Sequence, residues 1–265
     1  MLAFFGRVGQ AVLARFDELV QIGALFYAAI KGAVIEGRRG RGMVKSATAT
    51  QIYFTAVEPL AIFLLVAVTC GFFAIVLSDS LMRPNGLAPH IPKVIAEAVV
   101  RELVPLVIAL VVIGRSGPAI ATELGYMRVN DEIEALDLAG ANTDYLVVLP
   151  RIAGVTIATA ALTVAMSVAA LLGGFLLGNA FDLISVGLRF DQILESVSLL
   201  TIALAMAKAV MFGVVIATVN CYHGLAVKRS FTEIPRANVR GAVQCYLGCF
   251  LLNAALSLYA LMETT

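Results

Sequence analysis

Residues 114–140 read GRSGPAIATELGYMRVNDEIEALDLAG and separate two long apolar blocks. The stretch carries the acids Glu123, Asp131, Glu132, Glu134 and Asp137, the arginines Arg115 and Arg128, and a single proline. Ile120, Leu124 and Met127 fall at i, i+4, i+7, and Ile133, Leu136 and Gly140 at i, i+3, i+7. Both are helical spacings, with Glu132, Glu134 and Asp137 off the apolar stripe. A connector between two spans needs neither this length nor this order. Asn130 or Asp131 offers a side-chain oxygen to cap a short helix, and Asp131, Glu132 and Glu134 then sit at the positive end of its dipole. Two readings stand side by side: a docking knob for another protein, or a surface helix that closes the bundle.

The surrounding sequence is that of a membrane protein. Of 265 residues, 60% are hydrophobic and 14% charged, and the mean hydropathy is +0.94. Soluble domains run at about 45–50% apolar and about 25% charged. A helix needs about 20 mostly apolar residues to cross the hydrocarbon. Five stretches qualify, at about 52–78, 94–114, 152–181, 197–222 and 241–262. Segment 19–36 is shorter and flanked by polar residues, so it reads as interfacial or as a lead-in. At the N-terminus Phe4, Phe5, Val8, Val12, Leu13 and Phe16 recur at helical spacing, with Arg7, Gln10, Arg15, Asp17 and Glu18 between them. That is the pattern of an amphipathic interfacial helix rather than of a cleaved signal. The expected fold is all-α and polytopic, with an N-terminal interfacial region (1–45) and a five-span transmembrane domain (46–265).

Lysine and arginine set the expected orientation. Lys31, Arg38, Arg39, Arg41 and Lys45 precede the first span, and Lys228, Arg229, Arg236 and Arg240 precede the last. Segment 115–151 holds Arg115, Arg128 and Arg151, whereas 79–93 has only Arg83 and Lys93, and 182–196 only Arg189. The N-terminus, 115–151 and 223–240 are therefore expected in the cytosol, and the C-terminus in the periplasm.

Several function classes find no support. A net charge of +1 gives no reason for a nucleic-acid partner. There is no GxxxxGK[ST] loop, so an ATP-driven process would need the nucleotide in a separate chain. With only His90 and His223, no metal cluster is legible. Cys70, Cys221, Cys245 and Cys249 lie in or beside apolar segments and read as small apolar residues; Cys245 and Cys249, one turn apart, leave a disulfide or metal open. A secondary transporter would show repeated halves, and none is visible. A membrane-embedded lipid-modifying enzyme, of transferase type, remains as the alternative to a permease, although the acids of 123–137 follow no DxxD-like spacing.

The block RELVPLVIALVVIGRSGPAIATELGYMRVNDEIEAL (101–136), continuing to LVVLPR (146–151), resembles the MlaE/YrbE permeases of lipid-transporting ABC systems. Their signature runs RELGPV…GRxGxAxxAExGxMxxxEEIxAL…PR. QIYFTAV (51–57), LLGGFLLG (171–178), KAVMFG (208–213) and CYHG (221–224) extend the likeness to about residues 50–260. The chain departs from the pattern at Asn142-Thr143, where many members carry a proline, at FTEIPRANVRGAV (231–243), and at Glu58-Pro59 in the first span.

The resemblance implies a non-catalytic, homodimeric permease of the bacterial inner membrane. Its partners would be a cytosolic ABC ATPase, which binds ATP and Mg, and a periplasmic MCE-domain protein. Phospholipid or another hydrophobic molecule would be the cargo, and this chain would hold no cofactor or metal of its own. It implies a coupling helix at about 128–141, with Glu123, Asp131, Glu132, Glu134 and Leu136 as contacts to the ATPase. Charges within the spans are expensive in lipid and face a polar interior or a partner. Arg101, Glu102 and Glu58 are candidates for a lipid path or gate, and Lys208 for a structural charge. A Glu102–Lys208 or an Arg101–Glu58 pair would be the purely structural outcome. Gly173, Gly174 and Gly178 form a small-residue face, either a dimer seam or an intrachain contact.

Overall fold

A computed structural model describes residues 2–35, 40–183, 190–228 and 230–263, with side chains from Phe16 onward except those of Leu261 and Glu263. The amphipathic stripe Phe4–Leu13 lies where only the backbone is described. Arg38, Arg39, Arg189 and Arg229 lie outside the described residues. Every regular element among the described residues is helical: α1 (Leu2–Ile35), α2 (Arg41–Ile52), α3 (Leu60–Met82), α4 (Ile91–Ile95), α5 (Val104–Val129), α6 (Glu132–Leu138), α7 (Leu149–Ala180), α8 (Phe190–Ser196), α9 (Leu199–Leu225) and α10 (Ile234–Glu263).

Three π-turns interrupt these helices: Tyr53–Val57, Ala96–Leu103 and Asp144–Val148. Each ends two residues before a proline, namely Pro59, Pro105 and Pro150. The cause is common to all three. A proline ring clashes with the carbonyl four residues back and supplies no N–H, and widening one turn relieves both conflicts. Across Ala96–Leu103 the chain stays helical, so α4, the π-turn and α5 form one rod from Ile91 to Val129. At Glu58-Pro59 the ladder breaks, because proline has no N–H to give, and α3 starts afresh at Leu60.

Five rods make the bundle: α3, the 91–129 rod, α7, α9 and α10. Their directions follow from which residues meet. Gly154 sits against Gln51 and Gly174 against Gly71, a constant offset that makes the first span and α7 parallel. Thr159 bonds to the Ala209 carbonyl, and Gly213 abuts Thr156, so α7 and α9 are antiparallel. Asn238 reaches Thr122 and Ser257 reaches Glu102, so α10 runs against the rod. The rod is the central element, with Val104, Ile108, Val112, Ile113, Ile120 and Leu124 all buried.

Helix α1 lies differently. Tyr222 Oη donates to Gln21 Oε1 at 2.6 Å, Glu18 is 3.8 Å from His223 Nε2, and Gly32 packs on Tyr145. Tyr222 and His223 end α9, and Tyr145 precedes α7, so all three contacts lie at the α6 end of the bundle. Residues 18 and 32 are separated by about 21 Å of helix at 1.5 Å per residue. The helix therefore runs across that end of the bundle, with Phe16, Leu19, Val20, Tyr27 and Val34 exposed. By length and apolarity Phe16–Ile35 also suffices to cross a membrane, as do Leu60–Met82, Asp144–Ala180, Leu199–Leu225 and Phe231–Ala260.

Gly71 and Gly174 set the closest helix crossing. A Cβ at Gly71 would lie 2.0 Å from the Ala170 carbonyl oxygen, and one at Gly174 would lie 2.5 Å from the Gly71 carbonyl carbon. Gly173 meets Val68 on the same seam. This part of the small-residue face therefore packs within the chain, where close backbones maximise the dispersion contacts that hold helices together in lipid. Gly178 is buried farther along α7.

Candidate functional site

Two features could carry function: a charged cluster between the rods, and the segment around α6.

In the cluster, Lys208 of α9 is only 1% exposed. Its Nζ donates to Glu102 Oε2 at 2.6 Å and to Ser257 Oγ at 2.9 Å. Ser257 Oγ in turn donates to Glu102 Oε2 at 2.7 Å, and Arg101 Nε donates to Glu102 Oε1 at 3.1 Å. One carboxylate thus accepts from three groups on three helices. Arg101 and Glu102 both lie on the π-turn, from which Glu102 reaches Lys208 of α9 and Ser257 of α10. Of the two pairings open to sequence reasoning, Glu102–Lys208 forms and Arg101–Glu58 does not. Glu58 lies at the break before α3, where it is 3.1 Å from Arg115. It is not part of this cluster. Ser257 escaped sequence reasoning because a lone serine on a C-terminal apolar helix carries no signal until α10 is placed.

Beside the cluster lies a cavity of about 290 Å³ lined by Val100, Leu171, Leu194, Ala205 and Met206, among others. Thr163 and Ser167 also face it, but their hydroxyls are spent on the carbonyls of Thr159 and Thr163. The wall is therefore apolar. Val100 adjoins Arg101 in sequence, and Ala205 lies one helical turn before Lys208, so an apolar hollow and a charged cluster are neighbours.

At the other end of the rod the chain turns sharply. Asn130 ends α5, and Asp131 takes a left-handed conformation (φ 59°), one that Asn and Asp tolerate better than most residues. Asp131 occupies the N-cap position, yet its side chain makes no capping hydrogen bond. Helix α6 is shorter than the expected 128–141. It ends at Gly140 (φ 72°), where Gly140 N donates to Asp137 O and Ala141 N to Leu136 O. Those two bonds form a Schellman cap, which needs a left-handed residue at Gly140.

The expected docking residues are dispersed about this turn. Glu123 pairs with Arg151 at 2.7 Å, and Glu134 with Arg128 at 3.8 Å, so both brace the chain itself. Asp131 and Glu132 are exposed. Leu136 is half-buried against the core, whereas Leu138 is 90% exposed. Behind α6 is a polar hollow of about 630 Å³ between Arg128, Asp137, Asn142 and Asp144, and Thr143 Oγ1 donates to Asp137 across its rim.

The cysteines Cys221, Cys245 and Cys249 are buried free thiols, and Cys245 Sγ accepts from Asn220 Nδ2 at 3.2 Å. Among the described residues no three His, Cys, Asp or Glu side chains are arranged to hold a metal ion.

Comparison with known proteins places this geometry. The family model described as Permease MlaE matches residues 48–259. A probable ABC transporter permease protein of Synechocystis is 28% identical over 228 residues, 84% of each chain. The intermembrane phospholipid transport system permease protein MlaE of Haemophilus influenzae is 24% identical over 245 residues, 92% of each chain. The chloroplastic protein TRIGALACTOSYLDIACYLGLYCEROL 1 of Arabidopsis thaliana is 31% identical over 173 residues, 65% of this chain and 49% of that one.

Proposed function

The chain belongs to the MlaE permease family, and on that premise we propose that it moves phospholipid, or a comparably amphipathic molecule, through the membrane. It is a multi-pass inner-membrane permease subunit, a role in which the relatives' names place no catalysis. The single observation that carries the cargo reading is the apolar cavity beside the Arg101–Glu102–Lys208 cluster. An amphiphile needs both, an apolar wall for its chain and charge for its headgroup. Arg101 is the cluster's cation not directed at Ser257 and stands for the headgroup phosphate.

Energy comes from a separate ATPase that docks at the α6 end, which is cytosolic on the lysine and arginine count. Leu138 projects outward with Asp131 and Glu132 beside it, and takes over the apolar contact expected of Leu136. ATP and Mg belong to that partner. The outward face of α10, with Val243, Leu247, Phe250 and Leu251 exposed, supports pairing with a second copy of the chain. The opposite end, near α8, faces the periplasm and an MCE-domain partner.

The test is ATP-dependent transfer of fluorescent phospholipid out of proteoliposomes holding the permease with its co-purified ATPase. Val168 lines the cavity but is 52% exposed, so Val168→Trp narrows the cavity with little demand on the fold. Transfer should fall at least tenfold while ATPase recovery stays unchanged. An assembled complex that transfers no lipid, or a Val168→Trp variant that transfers at the wild-type rate, overturns the cargo reading.

A further inference from the structure

In the π-turn before Pro59 the Glu58 amide donates to the Tyr53 carbonyl at 3.0 Å. In an α-helix that amide would serve Phe54. In a continued π-turn the amide of residue 59 would serve Phe54 instead. Residue 59 is proline and has no N–H to give. The Phe54 carbonyl therefore has no main-chain donor in its own helix, inside a segment where water is scarce and such a group must find a partner.

The partner comes from a different helix. Arg115 Nη1 of α5 donates to the Phe54 carbonyl oxygen at 2.6 Å. The same guanidinium lies 4.7 Å from the centre of the Phe54 ring and 3.1 Å from Glu58 Oε2. A planar cation with a fork of donors can meet a carbonyl, a carboxylate and a ring face at once, which an ammonium cannot. Arg115 thus holds both sides of the break, Phe54 before it and Glu58 at it. Its own helix runs without interruption to Val129 and then turns into α6.

We propose that Arg115 is a positioning residue that fastens the Glu58-Pro59 hinge of the first span to α5, so that the angle between α2 and α3 follows the motion of α6. The inference rests on the reading of α6 as the ATPase dock. The fastening itself is a separate property of the chain. A pushed α5 carries the guanidinium with it, and Phe54 and Glu58 follow because neither has an equivalent partner within its helix.

The experiment measures the hinge directly. Spin labels go on Met43 of α2 and Leu65 of α3, both about 70% exposed, in a Cys70→Ala background, with one labelled copy per assembly. Distances are read in nanodiscs on the complex with its ATPase, with and without a non-hydrolysable ATP analogue. The wild type gives one narrow distribution that shifts when nucleotide binds. Arg115→Met broadens it at least twofold and abolishes the shift. Arg115→Lys, which keeps a donor for the carbonyl, narrows it again. Arg115→Met/Pro59→Ala supplies the missing N–H from within the helix, so the distribution narrows while the nucleotide shift stays absent.

An Arg115→Met hinge as narrow and as responsive as wild type overturns the proposal. So does a double variant that stays as broad as Arg115→Met. If the wild-type complex shows no nucleotide shift at all, the docking role of α6 fails, and the widths without nucleotide still decide whether Arg115 fastens the hinge.

Discussion

Removing either partner of the Glu102–Lys208 pair should be costly, by unequal amounts, and removing both should cost less than the two losses added. Breaking a buried ion pair by deleting one partner destabilises by about 3–5 kcal/mol, because the survivor is a buried charge without compensation. Glu102→Gln leaves Lys208 at 1% side-chain exposure and Arg101 at 11% without a counter-charge, so it belongs at the upper end of that range. Lys208→Met leaves Glu102, whose side chain is 32% exposed and still receives Arg101 and Ser257. Solvent and those two donors cut the cost to about 1–2 kcal/mol. Lys208→Met/Glu102→Gln leaves Arg101, at 11% side-chain exposure, as the one charge here without its carboxylate, so it should be more stable than Glu102→Gln alone and cost less than the two single losses added. Thermal unfolding in a fixed detergent reads the order, at about 2–4 °C per kcal/mol for chains of 150–250 residues. Glu102→Gln should thus melt about 6–20 °C below wild type. Losses that simply add in the double variant, or a Lys208→Met variant less stable than Glu102→Gln, would refute the account of the cluster as mutual compensation of buried charge.

Three other outcomes follow from single residues. Leu138→Asp places a charge on the most exposed leucine of α6 and should reduce co-purified ATPase at least fivefold, whereas Leu136→Ala should act on melting temperature, since that side chain packs inward. Gly140→Ala asks an alanine to adopt φ 72°, which costs about 1–2 kcal/mol and should appear as faster hydrogen exchange confined to 131–143. Gly174→Leu drives a side chain into the Gly71 backbone and should lower the yield of folded protein more than Gly173→Leu, whose Cβ meets the Val68 side chain rather than backbone.

The sequence is most informative where a physical rule acts locally. Apolar lengths fix the rods, and Glu58-Pro59 predicts a break because proline forbids a ladder bond wherever it sits. It is least informative where phase or partner is set by a neighbouring helix. The resemblance implies Leu136 as a contact with the ATPase. The left-handed Asp131 instead starts α6 in a fresh orientation, turning Leu136 inward and Leu138 outward. Glu58 and Arg101 are both charges in apolar surroundings, and nothing in one dimension tells that Glu58 takes Arg115 as its partner and Arg101 takes Glu102. Arg115 counts in the sequence only as one more basic residue of a cytosolic loop. Its role depends on which carbonyl the π-turn strands, and that is visible only with both helices in place.

The Gly71–Gly174 crossing has a mechanical consequence. Two backbones in direct contact at Gly71 and Gly174, with Gly173 continuing the seam onto Val68 of α3, leave little side chain to shear or repack between them. The first span beyond its hinge and α7 therefore act as a single girder. Whatever rocking admits a cargo must be borne elsewhere in the bundle, and the girder gives the other helices something rigid to turn against.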